Sequence, residues 1–169
     1  MLKSIKKTRN KLKKFYWTAK AKKKVKQYNG EIHVNGKSYF SSKTTLGNNV
    51  HFNGIKVIGN GKVSIGDNFH SGWGVVLLTH YHNYKSKQSI PYDNTYIVRD
   101  IIIEDNVWFG INITVMAGVT IGEGAIIQAG SVVVNDIPAY SIAGGHPAKV
   151  FSKRDVESYQ ILKNEGKFF

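Results

Sequence analysis

From residue 103 to residue 133 an apolar side chain stands at every sixth position without a slip: Ile103, Phe109, Val115, Ile121, Ile127 and Val133. A second column runs beside it, four residues after each of the first five, through Val107, Ile113, Val119, Ala125 and Ser131. A period of six fits neither the 3.6-residue helical turn nor the two-residue alternation of a long strand. It fits a coil of short strands and tight turns, in which each aliphatic residue stacks on its equivalent in the next coil. Leu46, Phe52, Ile58, Ile65 and Leu77 keep a similar spacing upstream, with one slip near Gly61. A sandwich of short strands is the alternative, but it gives no reason for six residues to stay in phase.

The pattern also shows where the coil is interrupted. Between Thr79 and Tyr96 the hexads stop, and the polar stretch THYHNYKSKQSIPYDNTY predicts a loop over 79–96 thrown out from one coil. A second break is expected at Asp136-Ile137-Pro138, and residues Arg154 to Lys163 suggest a short C-terminal helix. At the other end, Met1 to Tyr28 contains no Gly or Pro and reads as one helix. Leu2, Ile5, Leu12, Phe15, Tyr16 and Ala19 share roughly one face of it; Asn29-Gly30 ends it, and Glu31 to Ser42 looks like a short β entry. The expected organisation is a basic helical extension (1–30), a β-coil domain (31–150) and a helical tail (151–169).

The formal charge of +13 is unevenly placed. Up to Gly30 there are eleven Lys and one Arg with no acidic residue, whereas the remainder carries twelve basic and eleven acidic residues. A nucleic-acid binder usually carries its basic face on the folded body, so no specific nucleic-acid partner is expected. The basic helix can lie on anionic lipid through residues 1–28, or pack on its own domain with its charges solvated. No apolar run approaches the ~20 residues of a membrane span, and the lysine-rich start lacks the apolar region of a signal peptide. With no cysteine, thiolate metal sites and cysteine nucleophiles are excluded. The expectation is a cytoplasmic protein, with peripheral contact at the inner face of a membrane left open. The glycines follow the coil turns, and no phosphate-binding loop or dinucleotide fingerprint is present.

The segments 65–68 (IGDN), 103–110 (IEDNVWFG), 115–133 (VMAGVTIGEGAIIQAGSVV) and 136–150 (DIPAYSIAGGHPAKV) resemble the hexapeptide-repeat acyltransferases. The likeness is to the maltose, galactoside and capsule or O-antigen acetyltransferases, and it covers roughly residues 44–150. It implies an all-β fold, a left-handed parallel β-helix with an N-terminal basic helix and a short C-terminal helix. It further implies a homotrimer that uses acetyl-coenzyme A and no metal. The handedness comes from the resemblance alone, since bare crossover physics favours the right hand.

Similar enzymes place a catalytic histidine on the loop excursion, and His80 of Thr79-His80-Tyr81-His82 matches best. A hydroxyl is a poor nucleophile until a base takes its proton, and histidine's ordinary pKa of about 6.5 suits that role at neutral pH. Read without the resemblance, His80 and His82 are equally exposed loop residues or a His-x-His metal pair. His51-Phe52-Asn53 resembles the acceptor-binding Asn-x-Asn segment with His in the first place, so His51 and Asn53 join His82 and Trp108 as candidates for substrate contact. The resemblance implies that Gly110 and Ala129 line the pantetheine groove and that Lys149 meets the phosphates. Val134-Asn135 stands where the family often has Thr-Lys, and His146 replaces the usual Asn of a structural turn. The function expected is transfer of acetyl to a sugar hydroxyl, with a surface polysaccharide or its precursor as acceptor. Alternatives are N-acetylation of an amino sugar or nucleotide-sugar, acetylation of a small xenobiotic, or a metal-binding or purely structural β-helix trimer.

Overall fold

A computed structural model describes residues 2–169; Met1 and the side chains of residues 2–6, which include the expected apolar positions Leu2 and Ile5, lie outside the described residues. The body is a left-handed parallel β-helix of about six coils with three flat faces, as the resemblance implied. The first face stacks Gln27–Tyr28, Thr44–Leu46, Val63–Ile65, Ile101–Ile103 and Thr120–Ile121. The second stacks Ile32–Val34, Val50–Phe52, His70–Ser71, Trp108–Phe109, Ile126–Ile127 and Ser141–Gly145. The third stacks Ile55–Ile58, Val75–Leu78, Thr114–Val115 and Val132–Val133.

Three hexads make one coil, so the inward residue of each strand lies on the residue eighteen positions later. Ile103 pairs with Ile121, Phe109 with Ile127 and Val115 with Val133. All six are at most 1% exposed, and the second column is buried with them, including Ser131. Ser131 is tolerated there because its hydroxyl donates to Gln128 O and accepts from Gly145 N. Inside the lower coils Phe40, Phe52, Phe69 and Phe109 form one aromatic column with successive ring centroids 5.1, 5.4 and 5.1 Å apart.

The corners are held by side chains as well as by backbone. Asn49, Asn68 and Asn106 all sit at positive φ between the first and second faces, a conformation asparagine adopts more readily than most residues. Asn49 Nδ2 donates to Asn68 Oδ1 at 3.0 Å, and Asn68 Nδ2 donates to Asn106 Oδ1 at 2.9 Å. Asp67 and Asp105 do similar work, accepting the backbone N–H of Asn48 and Asp67 at 2.7 Å.

The ends depart from the sequence reading in detail. The N-terminal helix α1 (Leu2–Lys24) stops four residues early, because Val25 turns into the core and Lys26 N bonds Thr44 O. The residues it turns inward are Trp17, Thr18 and Ala21, where Thr18 Oγ1 accepts from Val34 N at 3.0 Å. Leu12, Phe15 and Tyr16 of the expected apolar face are exposed. At Asp136-Ile137-Pro138 the coil bends without ending, since Ile137 bridges Ile121 and the chain adds a sixth strand to the second face. There Ala148–Lys153 folds back antiparallel on Ser141–Gly145 with His146 in the turn, and helix α2 (Val156–Asn164) follows, N-capped by Asp155. No helix among the described residues is long and apolar enough to cross a membrane.

Candidate active site

The excursion is a hairpin arm. It leaves the corner between the third and first faces after Val75–Leu78 and rejoins the coil at Ile101–Ile103, so it runs a few residues beyond the expected 79–96. Its base pairs His80–His82 antiparallel with Tyr96–Val98. The buried Thr79 roots it: the hydroxyl donates to Ile58 O and accepts from Gly61 N, both at 3.0 Å, and its carbonyl accepts from Arg99 N. Alternation along the strand puts His80 and His82 on one side. His80 stacks on Tyr96 at 4.6 Å, while His82 lies between Tyr92 at 3.9 Å and Tyr96 at 4.5 Å. The Nδ1 atoms of both are buried with no hydrogen-bond partner among the described residues. The outer turn is tied by Asp93, which accepts from Thr95 N and Oγ1; hydrogen bonds from Thr95 and Ser86 hold its carboxyl below the usual carboxylate range.

A second group of candidates lies on the second face. His33, His51 and His70 occupy one register column, with rings 4.3 and 4.2 Å apart, and Trp108 is next in line above His70. His51 Nε2 meets Asn49 Oδ1 at 3.0 Å. Because Asn49 Nδ2 donates to Asn68, the Asn49 oxygen is the acceptor and His51 carries its proton on Nε2. Burial, then the charges of its histidine neighbours and Lys14, lower the His51 pKa to about 4. Burial also lowers that of His70, whose Nε2 is buried and unpaired. The C-terminal Phe169 ring leans on His70 at 5.5 Å. It closes one side of a cavity of about 480 Å³ that Trp108, Asn106, Arg154 and Lys163 also line. The histidine column was missed in the sequence, although its spacing of eighteen and nineteen residues is one coil each time.

The remaining candidates mark the corner between the second and third faces. Asn53 is occupied in stapling coils, its Nδ2 donating to Ser71 O at 2.8 Å and its Oδ1 accepting from Asn35. A Cβ on Gly110 would stand 2.7 Å from Ala129 N, so stacking of the coils already requires glycine there. Gly110, Ala129 and the Gly144–Lys149 pair follow one another up this corner, ending in an exposed lysine. The path suits an extended arm with an anionic far end. Within one chain, the His80 hairpin and the Gly110–Ala129 corner are at opposite edges of the third face. Among the described residues no group of three or more His, Asp or Glu could hold a metal ion.

Fold and site together define a hexad-coiled β-helix with a histidine-bearing arm. A family model described as bacterial transferase hexapeptide, six repeats, matches residues 100–135. A Schizosaccharomyces pombe protein named as an acetyltransferase is 41% identical over 97 residues, which are 56% of this chain and 45% of that protein. The chain spans less than half the length of the curated relatives it first matches. Among solved structures, a maltose O-acetyltransferase from Clostridium difficile 630 is 30% identical with a TM-score of 0.62, covering 78% of this chain and 70% of that one. A galactoside acetyltransferase in complex with coenzyme A is 26% identical with a TM-score of 0.60, covering 78% and 67%. The chain belongs to the hexapeptide-repeat transferases.

Proposed function

We propose that the protein is an acetyl-coenzyme A-dependent O-acetyltransferase whose acceptor is a sugar hydroxyl, of a surface polysaccharide or its precursor, with His80 as general base. The observation that carries this reading is the His80 imidazole, on an arm rooted by Thr79 and held in orientation by its stacking on Tyr96. As the acceptor oxygen attacks the thioester carbonyl, His80 takes its proton. When the tetrahedral oxyanion collapses and the C–S bond breaks, the imidazolium returns that proton to the departing thiolate. No covalent enzyme intermediate is needed. His82, His51, Asn53 and Trp108 are assigned to the acceptor side, and Gly110, Ala129 and Lys149 to coenzyme A.

The separation of His80 from the coenzyme A corner within one chain supports a homotrimer in which the arm of one copy meets the Trp108 and Gly110 side of the next. A cytoplasmic enzyme in peripheral contact with anionic membrane through residues 1–28 would meet a lipid-linked acceptor there. The test is thiol release from acetyl-coenzyme A across sugars, amino sugars and nucleotide-sugars. His80→Ala should melt like the parent and lose turnover by about 10²–10⁴-fold on the best acceptor. Near-normal activity in His80→Ala with loss in His82→Ala would reassign the base, and acceptance of amino sugars alone would replace O- by N-transfer.

A further inference from the structure

Helix α1 has two apolar faces, and one of them is left largely exposed. Trp17, Thr18 and Ala21 turn onto the first coil. On the opposite side Leu12, Phe15 and Tyr16 are 65, 75 and 57% exposed. At 3.6 residues per turn, Leu12 and Phe15 form one exposed stripe with Tyr16 at its edge. Arg9, Lys13, Lys20 and Lys23 flank the stripe on one side, and Lys11 and Lys22 on the other. No acidic residue occurs in the first thirty to neutralise them.

We propose that this outward face is a docking surface for an anionic lipid bilayer. Leu12 and Phe15 enter the boundary between headgroups and acyl chains while the flanking cations meet the headgroups, the arrangement of an in-plane amphipathic helix. Charge complementarity selects the occupant. A second copy would bring the same uncompensated cations against this face, which like-charge repulsion opposes. A nucleic acid would use the cations and leave the large apolar side chains in water. The docked face gives the stripe its purpose, since Trp17 and Ala21 fix the helix so that Leu12 and Phe15 cannot fold back onto the coil. The proposal deepens the membrane contact proposed above by assigning the face that makes it, and its test reads vesicle binding without acetyl transfer.

The test is co-sedimentation of the full chain with vesicles of phosphatidylcholine alone or mixed with phosphatidylserine, across a salt series. Binding should require phosphatidylserine and weaken as the Debye length shrinks. Leu12→Ser with Phe15→Ser should lower binding by about tenfold or more through lost apolar burial. Lys13→Glu with Lys23→Glu should lower it at least as far, each cation near such a surface accounting for about fivefold. Both double variants touch exposed positions and should melt like the parent. Trp17→Ala should lower the melting temperature while still binding vesicles in the cold. Failure of the parent to bind at low salt overturns the proposal. So does unchanged vesicle binding in the Leu12/Phe15 variant, or a single-stranded oligonucleotide competing equally for the parent and that variant. A change in molecular mass on replacing Leu12 and Phe15 would assign the face to contact between copies instead.

Discussion

Protonation of His51, in the middle of the histidine column, should be an acid-sensitive step in the stability of this β-helix. His51 lies between His33 and His70, and its pKa in the folded chain is about 4 against an ordinary 6.5. The unfolded chain therefore takes up the proton first as pH falls. The contribution of His51 is fully present above about pH 6.5 and is lost progressively down to about pH 4. Unscreened, the loss between pH 7 and 4.5 would be about 2.5 kcal/mol. His51 is only partly buried, so solvent screening brings this to roughly half, about 1–1.5 kcal/mol. For a chain of this size that is a melting shift of about 3–5 °C. The assay is thermal melting of the parent and His51→Gln across this pH range, since the glutamine does not titrate and the other acidic and basic groups are common to both. The parent should lose more melting temperature on acidification by that margin. Parallel curves would refute the burial argument, and a steeper fall in His51→Gln would reverse it.

Two further expectations concern the coil itself. Phe69→Ala empties the middle of the aromatic column and should cost about 3–5 kcal/mol, read from denaturant unfolding, with Phe69→Leu much milder. A cost below about 1 kcal/mol for the alanine would mean that neighbouring coils collapse into the space. Asn68→Ala loses two amide hydrogen bonds and forces alanine to a φ of 53°, for about 2–4 kcal/mol in all. Asn68→Gly loses only the bonds and should recover about 1 kcal/mol of that; equal losses in the two variants would remove the backbone from the explanation.

The hexads made the fold legible because burial in this architecture is strictly periodic, and residues 103–133 contain no insertion to blur the count. Upstream the register was harder to read, because the step from Ile65 to Ile103 carries a whole coil and the hairpin arm together. The arm was legible as an interruption, but its paired base was not: Tyr96–Val98 finds its partner in His80–His82 only once the chain has doubled back. His80 entered through resemblance, whereas its stacking on Tyr96 depends on cross-strand register. The sequence reading left open whether the apolar face carrying Leu12, Phe15 and Tyr16 meets lipid or packs on the domain. Trp17, Thr18 and Ala21 pack instead, because the first coil offers Val34 N to Thr18 and the Tyr39 ring to Trp17. The histidine column repeats at the coil length, and a search at eighteen or nineteen residues rather than six would have found it, whereas the asparagine column is broken by the arm between Asn68 and Asn106.

The two terminal elements have a consequence for assembly length. A stack of parallel coils has no intrinsic end: the last strand of each face presents the same unpaired backbone groups that every earlier strand used to receive its neighbour. Copies of this chain could in principle add head to tail and grow as fibres, a contact whose rotation never closes. At the first coil, helix α1 places Trp17 and Ala21 where another copy's coil would have to land. At the last coil, Ala148–Lys153 runs antiparallel and occupies the edge of the second face with a strand of the wrong polarity for continued stacking. The chain thus carries its own stop at each end. Loosening either one should convert a particle of fixed length into a polymer whose growth depends on concentration, visible as light scattering before any loss of β structure.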